Sequence, residues 1–337
     1  MGAQALPAIH ELDDQQWSED LGRCPGATFF HTGPWLAAVS QAFGTRVERM
    51  RFELGRGRWA LLPLSIRPLA RGLLPLAVAG ETGSYGGLVA PEPLVDDEAT
   101  ACFDAVRTRF PNLQVVGNPF APGPHLPWAA TATGVQDEST HLLLVKPLPE
   151  LRKGFSRGAK ARGNKARKLG LTLAVRSDVD AVATFYPLYE DSVRRWGDKL
   201  TWPRSRGFFE GLLAHGAPDV HFLFAHEPSG DAVSALLLAG YGPVVHYLAG
   251  ATRADHLEAC PSNFLMEEAL ARAAAEGRQF FDFGASNGLA GVIQFKESFG
   301  ATAAPYYSVS RRTMAGRAYF LLRAPVAKLS AWRTTAS

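Results

Sequence analysis

The sequence predicts an α/β protein of two domains, on three observations. At 337 residues the chain is long enough to bury two cores of ordinary size. Residues 244–300 read as strand, polar loop, helix, strand, Gly-rich corner and short helix, the pattern of a parallel crossover. A stretch rich in Pro, Gly and Ala, 118–137, interrupts the periodic segments and marks the best internal boundary.

Taken in order, FFHTGPWLAAVSQAFG (29–44) reads as a helix entered through Thr32 to Pro34, with proline near its first turn. Arg46 to Leu54 and Arg58 to Arg67 alternate as strands, and Gly55 to Gly57 make the hairpin turn between them. GETGSYGG, inside 77–90, sets glycines in a strand-like context, where they mark a bulge or a close backbone approach. Its readings are a strained turn or a substrate contact by Ser84 or Tyr85. Asp96 to Phe110 is an amphipathic helix and Asn112 to Phe120 a strand. Beyond the boundary, His141 to Lys146 is a short strand. Asp178 to Gly197 and Arg204 to Gly216 are helices, and in the first Arg194 stands among Tyr189, Glu190 and Trp196 as a substrate-binding candidate. Val220 to His226 and Ala232 to Ala239 are strands joined by the turn signal Pro228-Ser229-Gly230-Asp231.

The central stretch follows. Val244 to Ala249 is a strand; Ser262-Asn263 reads as an N-cap, with Leu265, Ala269, Leu270, Ala273 and Ala274 on helical spacing behind it. Gly277 ends that helix, and Gln279 to Phe283 is the next strand. The loop between strand and helix N-terminus, 250–263, is where such folds hold anionic ligands.

Residues 151–170, LRKGFSRGAKARGNKARKLG, hold eight Lys or Arg and no acid. Read as one helix, Arg157, Lys160, Lys165, Arg167 and Lys168 cover a broad face above a thin apolar stripe of Phe155, Ala159, Ala166 and Leu169. A merely solvated helix intersperses Glu with its cations, because like charges at i,i+4 repel. Exclusion of acid favours a polyanion partner. A Walker loop is excluded, since Gly154-xxx-Gly158-Ala-Lys160 has the wrong spacing and no hydroxyl residue after the lysine. The tail beyond Arg311 is basic and apolar without an acid; it predicts docking on a domain, with a peripheral contact to a membrane surface as the alternative.

Composition narrows the class. Charged residues make up 20% and hydrophobic ones 47%, as in a soluble globular protein, and a net charge of +3 leaves local clusters to carry any argument about partners. Cys24, Cys102 and Cys260 show no CxxC, which fits a reduced, cytoplasmic setting. No signal peptide, membrane-length apolar run, HxxH or HExxH is seen, so no metal and no resident cofactor are predicted.

Gly284-Ala285-Ser286-Asn287-Gly288 fits GxSxG between a strand and a helix. An α/β-hydrolase needs Asp or Glu and then His downstream of that serine, yet no His or Asp occurs from Asn287 to Ser337. What remains at this corner is Asp282, Ser286 and Phe295-Lys296-Glu297-Ser298-Phe299-Gly300. Lys296 between two phenylalanines is either partly desolvated, its charge then felt strongly by an oxyanion, or snorkels while the rings pack.

The order YLAGATRADHLEACPSNFLMEEALARAAAEGRQFFDFGASNGLAGVIQFKESFG resembles the second domain of the Fem family of non-ribosomal peptidyl/aminoacyl transferases, within the wider GNAT acyltransferase superfamily. The matching positions are Tyr247, Arg253, Pro261, Gly277, Phe281 to Gly284 and Phe295 to Gly300. The basic run closing at Gly170, FFHTGPWLAAV with its Phe-x-x-x-x-Trp pattern, and SYGG also have counterparts, so the likeness covers about residues 25–312.

The resemblance implies two tandem GNAT-like domains, 1–138 and 139–312, each a mixed sheet flanked by helices, with 313–337 as a basic C-terminal helix that returns to the first. It implies an amide-forming transfer from aminoacyl-tRNA to an amine of a cell-wall precursor; the rival is a carrier-protein or CoA thioester donor with another amine acceptor. An activated donor leaves positioning and oxyanion stabilisation to supply the catalysis, with Lys296 as the catalytic candidate and no residue standing out as general base. Donor-binding candidates are Arg253, Ser262, Asn263, Lys160, Lys165 and Lys168. Substrate-binding candidates are Trp35, Ser84, Tyr85, Arg194, Tyr247, Asp282, Ser286 and Phe295. Two departures stand out: ATRADHLEACPS has no glycine after Ala251 for gripping a pyrophosphate, and no lysine follows Trp35 in LAAVSQ.

Overall fold

A computed structural model describes residues 6–81, 83–121, 132–197, 204–286 and 288–330, with side chains described as far as 322. The first half runs β1 (Ala8–Glu11), α1 (Asp14–Leu21), α2 (Gly33–Phe43), β2 (Arg46–Gly55), β3 (Arg58–Leu69), β4 (Leu74–Ala79), α3 (Asp96–Arg109) and β5 (Asn112–Val116). The second runs β6 (Gly134–Leu144), α4 (Leu148–Gly154), α5 (Arg157–Lys168), β7 (Thr172–Arg176), α6 (Ala181–Trp196), α7 (Arg206–Gly216), β8 (Val220–His226), β9 (Ala232–Tyr241), β10 (Val244–Thr252), α8 (Pro261–Ala275), β11 (Phe280–Ala285), α9 (Ala290–Glu297), β12 (Thr302–Arg311) and α10 (Met314–Ser330). The twelve strands make one mixed sheet in the order β1-β2-β3-β4-β5-β12-β6-β11-β10-β9-β8-β7.

Local chemistry accounts for most element ends. Thr32 caps α2, its side chain accepting from the Trp35 N–H, and Gly44 closes that helix in the left-handed region. β2 and β3 form the expected antiparallel hairpin from Arg46↔Ile66 to Gly55↔Arg58. In the loop after β4 a side chain at Gly86 would place its Cβ 2.3 Å from the Ala79 carbonyl carbon, so only glycine allows the loop to fold back on the strand. The predicted crossover is present: β10 and β11 are parallel, joined by α8.

Two expectations are corrected and one strand is added. The basic run is not one helix, because Phe155 leaves the helical path and Ser156 restarts it as the N-cap of α5, accepting from the Ala159 N–H. Its apolar stripe is buried at Phe155, Ala159 and Ala166, whereas Leu169 is exposed. Ser262 and Asn263 do not cap α8. The N-cap is Cys260, in the left-handed region without a side-chain cap bond, and Pro261 supplies the preset φ of the first turn. Finally β12, unremarked in the sequence, joins the two halves by pairing antiparallel with both β5 and β6.

The core does not divide at the chain boundary. Phe29, Trp35 and Val116 of the first half share one buried cluster with Phe185, Phe209 and Leu237 of the second, and α2 packs on α7. A second cluster lies between α8 and the sheet, and a third between α3 and the first-half strands. The predicted boundary falls largely on 122–131, and Thr82, Asn287, Trp332 and Arg333 also lie outside the described residues.

Candidate active site

β10 and β11 pair only at Val244↔Phe280, Val245↔Phe281 and His246↔Asp282, and then part. β10 continues on β9 as far as Thr252 with Leu248 bulged out, while β11 shifts register against β6 between Asp282 and Ala285. The glycine of Phe281-Asp282-Phe283-Gly284 has φ +71°, which bends β11 away at that point. The result is a fork in a parallel pair, the opening in which open α/β sheets place their ligands.

The last shared rung carries the most connected polar group of the fork. Asp282 is 1% exposed; one carboxylate oxygen accepts from His246 Nδ1 at 2.8 Å, and the other from Thr140 Oγ1 at 2.5 Å and the Gly284 N–H at 2.9 Å. Burial pushes the Asp282 carboxyl upward, but the bonds from His246, Thr140 and Gly284 outweigh it and hold it below the usual range. With Nδ1 committed to Asp282, His246 presents Nε2, which has no hydrogen-bond partner among the described residues, inside a cage of Phe30 (4.5 Å), Phe120 (5.9 Å) and Tyr85 (6.1 Å between ring centroids).

α9 returns Lys296 under the same fork. The residue is 2% exposed and does not snorkel; its Nζ donates to the Gly284 carbonyl at 2.6 Å and the Ala285 carbonyl at 2.9 Å. Burial lowers its pKa from 10.5 to about 8, partly opposed by Asp282. An ammonium has three donors, so one remains after the two carbonyls. Around it, Phe295 and Phe299 contact each other at 5.2 Å.

Ser286 is buried, with His141 Nδ1 3.4 Å from its Oγ. A base therefore stands beside this serine, supplied from upstream. Burial and then Lys296 lower the His141 pKa, and among the described residues its Nε2 has no partner to orient the ring as the third member of a hydrolase triad would. Tyr85, 3% exposed, has its hydroxyl raised well above the ordinary range by burial and by Asp282, and packs on Phe30, Phe120 and Tyr306. His31, fully buried, is pushed down to about 4 by desolvation and is neutral.

The fork thus gathers Asp282, Ser286, Lys296, Tyr85 and Tyr247 from the sequence candidates. Tyr247 is half-buried on β10, its hydroxyl raised to about 12 by burial, and its ring lies over Gly250. Others sit elsewhere. Trp35 is 2% exposed and packs on Phe29, Phe30 and Phe208. Ser84 turns its hydroxyl onto the Glu81 carbonyl, and exposed Arg194 pairs with Asp191 one helical turn away. Arg253 is held by Asp255 at 2.8 Å and Glu227 at 3.4 Å, with His256 in the same cluster. Ser262 Oγ meets Thr252 Oγ1 at 2.8 Å, and Asn263 is buried with Nδ2 unpartnered. On α5, Lys165 and Lys168 are exposed, and Lys160 Nζ reaches the Lys153 carbonyl at 3.4 Å. Arg152 and Arg167 are drawn inward onto buried Glu267, Arg167 also reaching Glu268. His246 and His141 were missed; each reads as an ordinary strand residue, and the parallel register that sets His246 against Asp282 is not written in local sequence.

Among the described residues no group of His, Cys, Asp and Glu could hold a metal ion, and no helix is long and apolar enough to cross a membrane.

Comparison with known proteins adds the following. Residues 153–297 match the family model described as an acetyltransferase (GNAT) domain. The fold is similar to the crystal structure of FemX, with a TM-score of 0.71 at 13% identity, covering 94% of this chain and 99% of that one. It is also similar to the C-terminal domain of a proposed lysylphosphatidylglycerol synthetase from Agrobacterium fabrum (TM-score 0.55, 13% identity, 90% and 95% covered). A tandem GNAT protein from the clavulanic acid biosynthesis pathway gives 0.50 at 13% identity, with 90% and 96% covered. No curated protein matches the chain.

Proposed function

Starting from a chain that carries a GNAT acyltransferase domain at 153–297 within a Fem-like tandem fold, we propose that this acyltransferase forms amides by moving an aminoacyl group from aminoacyl-tRNA to an amine of a cell-wall precursor in the cytoplasm. The observation that carries the reading is the fork, where a buried ammonium with one spare donor lies beside a His–Asp pair with one spare acceptor.

The chemistry follows from those two groups. His246 Nε2 takes a proton from the acceptor amine as its nitrogen attacks the ester carbonyl carbon, and Asp282 stabilises the imidazolium that forms. The carbonyl oxygen becomes an oxyanion facing the third N–H of Lys296. The C–O bond to the tRNA ribose then breaks, and the ribose hydroxyl recovers the proton from His246. His246 thereby fills the base role for which the sequence offered no candidate.

The exposed cations of α4 and α5 support an RNA donor. Lys153, Arg157, Arg162, Lys165 and Lys168 are exposed and have no acidic partner among the described residues, although Arg152 and Arg167 are spent on Glu267. One structural relative is named for a lysyl-bearing lipid product, in keeping with aminoacyl transfer. A thioester donor is the second reading, favoured by the pairing of Arg253 with acids and by the unpaired edge that β10 offers to an extended acyl arm. On α10, exposed Met314, Leu321 and Leu322 would support a peripheral contact with a membrane surface.

The test is a donor screen at physiological salt with labelled aminoacyl-tRNAs, labelled acyl thioesters and an RNase-treated control. RNase-sensitive labelling of a precursor extract, falling steeply with added salt, is the expected result. Labelling from thioesters alone would replace the RNA donor.

A further inference from the structure

A cavity of about 350 Å³ opens at the far end of β8, β9 and β10, under the C-terminal end of α8. That volume is at the small end of sites that hold organic ligands. Its wall includes Val245, whose neighbour His246 points to the opposite face of the sheet, so this space is separate from the fork. The floor is apolar, made by Leu238, Val245, Ala269 and Ala273.

The rim carries both signs of charge. Glu276 accepts from Arg272 Nε at 2.8 Å and Arg278 Nε at 3.3 Å, and Arg278 Nη1 donates to the Gly242 carbonyl at 2.8 Å. Arg278 lies flat across Gly240, where a Cβ would stand 2.9 Å from its Nη2. Among the described residues the Nη groups of Arg272 and the carboxylate of Asp219 enter no ion pair, while Glu276 is already shared. Beside them stands His221, 7% exposed, with neither ring nitrogen in full hydrogen-bond geometry with a described residue and only the Pro218 carbonyl near enough to act on the ring. Burial, followed by Arg272, lowers the pKa of that imidazole and so favours the neutral form, which has one donor and one acceptor. A buried polar ring without partners is costly unless something fills the space beside it.

The geometry points to a binding site for a free α-amino acid with an apolar side chain: its carboxylate on Arg272 and His221, its ammonium on Asp219, its side chain on the Leu238–Ala273 floor. A simple anion would leave Asp219 facing a like charge, and a simple amine would leave the Nη groups of Arg272 unmatched. The zwitterion answers both.

The test follows the His221 ring signals by NMR in the full-length protein during titration with alanine, valine, leucine and methionine, one at a time. The expected result is a saturable shift with at least one of them. 4-Methylpentanoate and isoamylamine, which each lack one charge, should bind about tenfold more weakly or worse. Arg272→Gln and Asp219→Asn should each weaken binding similarly, and Asp219→Asn alone decides if the arginine variant loses its native circular dichroism. The proposal is overturned if no amino acid shifts His221 saturably, if sodium chloride reproduces the shift, if 4-methylpentanoate binds as tightly, or if Asp219→Asn binds like the native protein.

Discussion

Lys296 and His246 make different predictions at the scale of single residues. Lys296 must stay protonated to face an oxyanion, so kcat/KM should fall as pH rises through about 8, where burial has placed its pKa. Lys296→Met should lower kcat/KM by more than about tenfold, or roughly 1.4 kcal/mol, and abolish that alkaline limb. A limb that persists in the variant would assign it to another group. The same shift has a stability signature. The folded pKa lies below the ordinary 10.5, so between about 8 and 10.5 the unfolded chain binds more protons and stability rises with pH. Urea midpoints taken across that window should climb in the native protein and stay flatter in Lys296→Met. For the His–Asp pair, His246→Asn can still hydrogen-bond Asp282 but offers no base; kcat should drop by about 10² to 10⁴ with little change in KM. A steady-state assay returning a KM effect alone would recast the ring as a binding group.

The elements show what the sequence disclosed and what it withheld. The hairpin of β2 and β3, the cap at Thr32 and the α8 crossover were all legible, because each is written in turn residues and periodicity within a few positions. Lys296 was singled out by the rings around it, but whether it snorkelled depended on α9 packing under β11. His246 and His141 stayed hidden because their partners are 36 and 145 residues away. β12 stayed hidden because Thr302 to Ser308 is rich in small residues and interrupted by Pro305, a weak strand signal whose meaning comes from its two neighbours. On α5 the glycines separate cleanly. A Cβ at Gly158 meets the end of the flexible Arg162 side chain at 3.4 Å and the Ser156 hydroxyl in ordinary contact at 3.9 Å, whereas one at Gly163 presses on the Glu267 carboxylate at 3.2 Å. Gly158→Ala should therefore raise stability by up to about 1 kcal/mol, from helix propensity. Gly163→Ala should gain nothing, since it pushes α5 off the buried acid that holds Arg152 and Arg167. Thermal melts of the two variants side by side test this.

For the whole molecule the sheet is the unit of stability. β12 pairs with β5 and β6 at once, and Arg312 and Thr313 bond back to Leu113, Gln114 and Asn112. Residues 1–138 made alone should therefore leave β5 with a bare edge and aggregate, and adding residues 300–330 should recover soluble protein. Equal solubility with and without the added segment, by size-exclusion chromatography, would show that the first half does not depend on β12. The shared cluster of Trp35, Phe185 and Leu237 points the same way, since each half would expose apolar surface without the other.

The place of β12 also sets a timetable for biosynthesis. Arg312 and the Leu113 carbonyl it binds are 199 residues apart in sequence. At about 5 to 20 residues per second, some 10 to 40 s separate the emergence of β5 from that of the strand that covers it. Throughout that interval the nascent chain carries an open β edge, so the ribosome and its chaperones, rather than the finished sheet, must guard the first half of this protein.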